Sequence, residues 1–371
     1  PTHNPAVAWY RSREFNNDNT EKMVEDTAQL FLGMRIQCAR CHHHPFEKWS
    51  QDDYYGFSSF FSRIGRKTSD DPFTPRIFTL PEGKATHPSN GTSYAPKALD
   101  GPEFAELGPR DDPRDRLVEW LRQPENPFFA KALVNRYWKH FFGRGLVEPE
   151  DDMRVSNPPA NPELLDALAD DFVRSGYDLK HLVRVIATSQ AYARSSLPKP
   201  ANARDRQNFA RFYARRLPAE VMLDAIGRVT GSPSQFAGLP PQFRAVQLPD
   251  ESYNSGFLEV FGRPQGESVC ECERSSEANL AQRLELLNSP EIQQKLTSDT
   301  SRAALYAGDP RPDSEKVNEL YRLAFARAPS DEERTVCLDH LSKAREKDAL
   351  RKGYEDLIWV LINSKEFLFN R

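Results

Sequence analysis

The sequence is poor in several things, and each shortage removes a class of answer. No apolar run approaches the length that a membrane-crossing helix needs. Positive charge is not in surplus: 50 Lys and Arg stand against 54 Asp and Glu, for a net charge of −4 and a pI near 6.1. A chain so balanced offers no basic field to nucleic acid. Five cysteines, Cys38, Cys41, Cys270, Cys272 and Cys337, are an odd number and not the count of a disulfide framework. Strand-like alternation is scarce, with Arg244–Leu248 the clearest short case, and no segment repeats at a fixed period. The chain opens at Pro1 with neither an initiator Met nor a signal peptide, so it reads as a processed or partial product preceded by a further segment. What is present is ordinary for a globular protein. Of 371 residues, 38% are hydrophobic and 28% charged, enough for one large or two modest domains.

Against that background one stretch stands out, RIQCARCHHHPFEKWSQDD, centred on Cys38-Ala39-Arg40-Cys41-His42. C-x-x-C-H is the attachment signature of a c-type haem. Two thiols three apart can each form a thioether to one haem vinyl, and the following histidine lies beneath the iron as proximal ligand. On a helix, Cys38, Cys41 and His42 fall at i, i+3 and i+4 and share a face. Zinc is the competing reading, because two thiolates with two of His42, His43 and His44 make a plausible ligand set. Three consecutive histidines diverge too widely to face one metal together. A purely structural or redox-active thiol pair is the third reading, although the βαβ surroundings of a thioredoxin-like C-x-x-C are missing.

The rest of the chain predicts a mainly α, multi-helix globular protein with long irregular loops and a few short strands. Glu21–Gly33 has helical apolar spacing through Val24, Ala28 and Phe31. A second helix is expected from Gln51, and its aromatics Tyr54, Tyr55, Phe57, Phe60 and Phe61 suit either a core stripe or the wall of a flat cofactor. Arg66–Asp112 is rich in Pro, Gly, Ser and Asp and reads as an irregular excursion with one short strand near Arg76–Leu80. From Pro113 onward, helix signals recur. Asn126-Pro127 and Asn161-Pro162 open helices that Gly143 and Gly176 close, and Asp178 caps the next. Later helices are expected at Pro218–Val229, Glu277–Leu287, Pro290–Leu296, Ser314–Ala326 and Gly353–Ile362, with a capping box of Ser330 and Glu333 before RTVCLDHLSKA. This divides the chain into a helical segment with the Cys box at 1–67, a connecting segment at 68–112 and a helical domain at 113–371.

Taken whole, FLGMRIQCARCHHHPFEKWSQDDYYGFSSFF resembles the cytochrome-c-like second domain of large secreted planctomycete proteins. DPRDRLVEWLRQPENPFFAKALVNRYWKHFFGRGLVEPEDDMRVSNPPANPELLDALADDFVRSGYDLKHL resembles their C-terminal companion domain of unknown function, and RLPAEVMLDAI, CECERSSEANLAQRLELLNS and IWVLINSKEFLFN continue the likeness over nearly the whole chain. The resemblance implies an extracytoplasmic setting (periplasm, cell surface or secreted) and a covalent haem c at the box, with Cys38 and Cys41 as thioether donors and His42 on the iron. It brings no established reaction. It also implies a helical portion before the box that is mostly absent from this sequence. Haem chemistry turns on the sixth iron position. His43, His44 and Met34 lie too near His42 in sequence to reach the opposite haem face, which leaves His140, Met153, His181 and Met222. His140, in the family-like WKHFFGRG, and Met153, in EDDMR, rank first.

Other chemistry-bearing residues are less specific. Cys270 and Cys272 form a C-x-C whose pairing, with each other, with Cys337 or with a missing segment, the spacing leaves open. Glu148, Glu150, Asp151 and Asp152 suit a solvated or calcium-binding loop, or acid–base work on a glycosidic bond. Trp49, Trp120, Trp138 and Trp359 suit the core, or sugar stacking. Three functions follow as expectations. The first is an extracytoplasmic haem protein serving electron transfer to a redox partner protein, or haem-dependent redox chemistry. The second is a polysaccharide-binding or polysaccharide-degrading module with a structural or zinc-binding box. The third is a haem-carrying subunit that self-assembles.

Overall fold

The computed structural model describes residues 20–67, 76–249, 252–253, 255–264, 274, 279–346 and 349–370. It is a mainly α protein with short antiparallel strand pairs, divided into two compact units, Pro1–Phe212 and Tyr213–Arg371. None of the described helices is long and apolar enough to cross a membrane.

In the first unit, α1 (Thr20–Thr27) continues as a π-helical stretch, Ala28–Leu32, which Gly33 ends in the left-handed conformation at φ +66°. A 3₁₀ turn, Gln37–Arg40, follows and carries the first thiol of the box. Ser50 and Asp53 form a reciprocal capping box at the start of α2 (Gln51–Ser58), each side chain taking the other's backbone N–H at 3.0–3.1 Å. β1 (Ile64–Lys67) pairs antiparallel with β2 (Arg76–Thr79), placing a strand where one was expected near Arg76. β3 (Ala85–Thr86) pairs with β4 (Ser93–Tyr94). Asp112 caps α3 (Pro113–Leu121). Asn126 Oδ1 accepts from Phe128 N at 3.0 Å and Phe129 N at 2.9 Å, and so caps α4 (Phe129–Phe142) from slightly further out than the Asn-Pro pattern implied. α5 (Pro162–Arg174) starts on its proline with Asn161 as cap, and Asp178 caps α6 (Leu179–Ala187) through the Lys180 and His181 amides.

One buried cluster ties the elements up to the start of α4 together. It joins Met23, Val24, Ala28, Leu32, Ile36 and Ala39 to Tyr54, Phe57 and Phe60, and onward to Leu117, Trp120 and Phe128. The boundaries drawn near residues 67 and 112 therefore both lie inside the first unit. The composition shift after Arg66 marks irregular backbone, while α3 and the start of α4 supply apolar side chains to the same core.

The second unit holds β5 (Arg215–Arg216), α7 (Ala219–Thr230), α8 (Gly256–Val260), α9 (Leu280–Asn288), α10 (Pro290–Thr297), α11 (Arg302–Gly308), α12 (Asp313–Phe325), α13 (Asp331–Glu346), α14 (Leu350–Ile362), α15 (Lys365–Leu368) and β6 (Phe369–Asn370). β6 returns to pair antiparallel with β5. The expected capping box before α13 is present: Ser330 N donates to Glu333 at 2.7 Å, and Glu333 N to Ser330 Oγ at 3.2 Å. The strand expected at Arg244–Leu248 is instead a 3₁₀ turn, Ala245–Gln247. The Asp224 carboxylate of α7 accepts from Ala245 N at 2.8 Å and Val246 N at 3.2 Å, and Gln247 Oε1 accepts from Arg244 N at 3.0 Å. Amides that a ladder would need are thus held by side chains.

Candidate functional site

The Cys box sits on a tight turn and not on an α-helix. Ile36 and Ala39, three residues apart, are both fully buried, which plants one side of the 3₁₀ turn in the core. Three residues per turn then stack Cys38 and Cys41 along a different edge of the turn, which is exposed. Cys41 N and His42 N both reach Cys38 O at 3.4 Å, and Cys38, Cys41 and His42 are all exposed. Both cysteines are free thiols. His42 Nδ1 lies 2.6 Å from the His43 carbonyl oxygen, an arrangement in which Nδ1–H donates to the backbone and Nε2 keeps its lone pair.

The turn is clamped from three sides. Arg40 NH1 pairs with Glu21 at 2.5 Å and lies 3.5 Å from Glu25, both on α1. Its carbonyl accepts from Tyr55 Oη and Gln51 Nε2, each at 3.2 Å. Downstream, His44 N donates to the carbonyl of buried Trp49 at 2.9 Å, and Phe46 N reaches His44 Nδ1 at 3.3 Å. Phe46 itself is 71% exposed at the tip of this loop.

The acidic EPEDDMR stretch forms the third clamp. It is no solvated loop: Glu150 and Asp151 are both 0% exposed. Asp151 accepts from Arg35 at 2.6 Å and from Gln29 Nε2, while Glu150 is bonded to Lys139, which also meets Glu148 at 3.1 Å. Met153 N donates to Gly33 O at 2.9 Å. Burial pushes the Glu47 carboxyl above its ordinary range, against the pull of His44 and Arg154, so the box loop and the acidic loop meet there. Asp151 is thus tied to Gln29 and Arg35 ahead of the turn, while Glu148 and Glu150 tie the acidic loop to Lys139 on α4.

The other expected site residues are dispersed. Met153 is half-buried, packed on Gly33 and lining a cleft of about 290 Å³ with Phe128, Val147 and Leu165. His140 is exposed near the end of α4, its ring edge-on to Phe141. His181 Nε2 pairs with Asp171 at 2.7 Å on the neighbouring helix. Met222 is fully buried in the second core. Tyr54, Tyr55, Phe57, Phe60 and Phe61 form a core stripe, with Phe57 edge-on to Phe60 and Phe61, and Trp49, Trp120 and Trp138 are buried. Cys337 is a buried free thiol 3.8 Å from Tyr321 Oη, while Cys270 and Cys272 lie outside the described residues. No group of three or more His, Cys, Asp or Glu side chains converges on a metal position among the described residues. The donor set at the turn fits the proximal half of a c-type haem: two accessible thiols at the right spacing and an imidazole with Nε2 open.

Sequence reading did not anticipate the Gln29–Asp151–Arg35 bonds or the Gly33–Met153 contact. Their partners are more than a hundred residues apart, and only the density of charge in EPEDDMR marked one side.

Residues 113–341 match the family model PSD1, described as a protein of unknown function (DUF1553), which covers more than half of the chain. The chain belongs to the PSD1 family. Ahead of the PSD1 match, residues 4–66 match PSCyt2, also described as a protein of unknown function (DUF1549), and the Cys box lies within that match. The two domains together are typical of planctomycete-type proteins. No curated protein and no solved structure matches this PSD1 chain.

Proposed function

We propose that the protein is an extracytoplasmic c-type haem protein of a planctomycete-type system, holding one haem through thioethers from Cys38 and Cys41 with His42 on the iron. The observation that carries this reading is the turn at 37–42, anchored through Ile36 and Ala39, which leaves both free thiols and the His42 ring exposed, with His42 Nδ1 on the His43 carbonyl.

Haem bound there supplies a one-electron couple. This chain's part is to fix its attachment and the orientation of the proximal ring. The His43 carbonyl holds the His42 tautomer and the orientation of its ring. Arg40, Gln51 and Tyr55 keep the turn from yielding when the covalent bonds form. The charges around the turn are balanced, Arg35 with Asp151, Arg40 with Glu21 and Lys48 with Asp100. Docking to a redox partner protein therefore relies more on apolar contact, of which Phe46 is the most prominent element, than on electrostatic steering.

The test is an absorption spectrum of protein purified from its own cells, oxidised and reduced, followed by alkaline pyridine after acid extraction. A c-type pyridine spectrum that survives extraction is expected, lost in the Cys38→Ala/Cys41→Ala variant. In His42→Ala the haem content is retained or reduced, but the spin state of the iron changes. Native protein with no covalently bound haem would overturn the reading.

A further inference from the structure

In the second unit, α7, the segment 231–244, α12 and Phe367 enclose a cleft of about 620 Å³, within the range of about 300–1,000 Å³ usual for small-molecule sites. Its apolar wall is made by Leu217, Phe243, Leu323 and Phe367. Two exposed arginines, Arg228 on α7 and Arg244 in the facing segment, also line it. Several other arginines of this unit are ion-paired, as Arg274 with Glu220 at 2.8 Å, Arg327 with Glu333 at 2.7 Å and Arg345 with Asp313 at 2.7 Å. Neither Arg228 nor Arg244 has a carboxylate partner among the described residues. The acid that shares the cleft, Asp224, already receives the Ala245 and Val246 amides. Of the neutral polar groups in the wall, Ser234 and Gln242, Ser234 donates to Glu291 at 3.0 Å.

Two guanidiniums without an ion-pair contact, beside an apolar wall, suit one kind of ligand. A guanidinium matches a carboxylate through a planar pair of donors, and an apolar tail gains by leaving water. We propose that this cleft binds a small amphipathic carboxylate, its head between Arg228 and Arg244 and its tail along Leu217, Phe243, Leu323 and Phe367. The site is separate from the Cys box and does not depend on haem.

The experiment is calorimetric titration of the full chain with dodecanoate, with dodecan-1-ol and dodecyltrimethylammonium as neutral and cationic controls. Saturable one-to-one binding of dodecanoate is expected, at least about tenfold tighter than either control, the scale on which a charge-assisted bond acts. Arg228→Gln/Arg244→Gln should lose that preference for the carboxylate, and because both side chains are exposed and unpaired its circular dichroism should match the parent. Ala324→Trp, which fills the cleft from α12, should abolish binding. Absence of saturable binding would overturn the proposal. So would a carboxylate preference that survives in the double arginine variant, which would place the ligand elsewhere.

Discussion

Lys316 places its ammonium where only 1% of the residue is exposed, a burial that costs several kcal/mol without compensation. Three acceptors are arranged around it: Tyr306 O, Asp309 O and Asp313 Oδ1, each at 3.0 Å, with the Tyr354 ring 5.3 Å away. Burial alone would raise the Asp313 carboxyl, but bonds from Arg345, Tyr354 and Lys316 outweigh it and bring the group down from 3.8 to about 2. Asp313→Asn should therefore destabilise the second unit by about 2–3 kcal/mol, somewhat below the usual loss for a broken buried pair because Asp313 keeps partial solvent contact. The sign with pH follows from the lowered value. The unfolded chain holds the extra proton, so the stabilisation is complete above the unfolded value of 3.8 and disappears as pH falls through about 2. In urea titrations the gap between wild type and Asp313→Asn should be constant near neutrality and close across that acid window. A gap unchanged at the acid end would show that the carboxylate charge is not what the site uses.

At the level of elements, the junction between the π-helical stretch and the box turn depends on Gly33. Its φ of +66° is a conformation that L side chains rarely adopt, and a Cβ there would lie 3.0 Å from Met153 Cγ and 3.1 Å from Sδ. Gly33→Ala should cost about 1–3 kcal/mol, part backbone strain and part displacement of Met153. Met153→Ala in the same chain should return the packing part, so a double-mutant cycle should give a coupling of about 1 kcal/mol. Strict additivity would mean that Met153 does not press on the junction. This contact also marks where sequence reading stops. Asn161-Pro162, Asp178 and the Ser330–Glu333 box were legible because a cap acts within three or four residues of itself. The C-x-x-C-H spacing was legible for the same reason. Arg244–Leu248 misled because its alternation is the same whether its amides go to a neighbouring strand or to Asp224, and Asp224 is 21 residues away. The roles of Glu150 and Asp151 were equally hidden. A run of acids looks solvated until Lys139, Gln29 and Arg35 are brought around it by the fold.

At the scale of the whole molecule, the question is whether the box holds the fold or is held by it. In a structural zinc site the ligands are part of the core, and loss of metal unfolds the domain. Here the relation is reversed. The residues that hold the turn are Ile36, Ala39, Arg40, Tyr55 and the Asp151 clip, while Cys38, Cys41 and His42 are exposed and make little packing of their own. Cys38→Ala/Cys41→Ala should therefore keep the helical circular dichroism and a denaturation midpoint within about 0.5 kcal/mol of the cofactor-free parent, as exposed substitutions do. Chelator should leave both unchanged. Asp151→Ala should do the opposite, lowering stability by about 2–4 kcal/mol because Arg35 and Gln29 lose a buried partner, while both thiols stay available to alkylating reagent. If the double cysteine variant or the chelator melted the first unit, the box would be a structural metal knot. The proposal that it is a preformed handle for a covalent haem would then fail on stability alone, before any spectrum was taken.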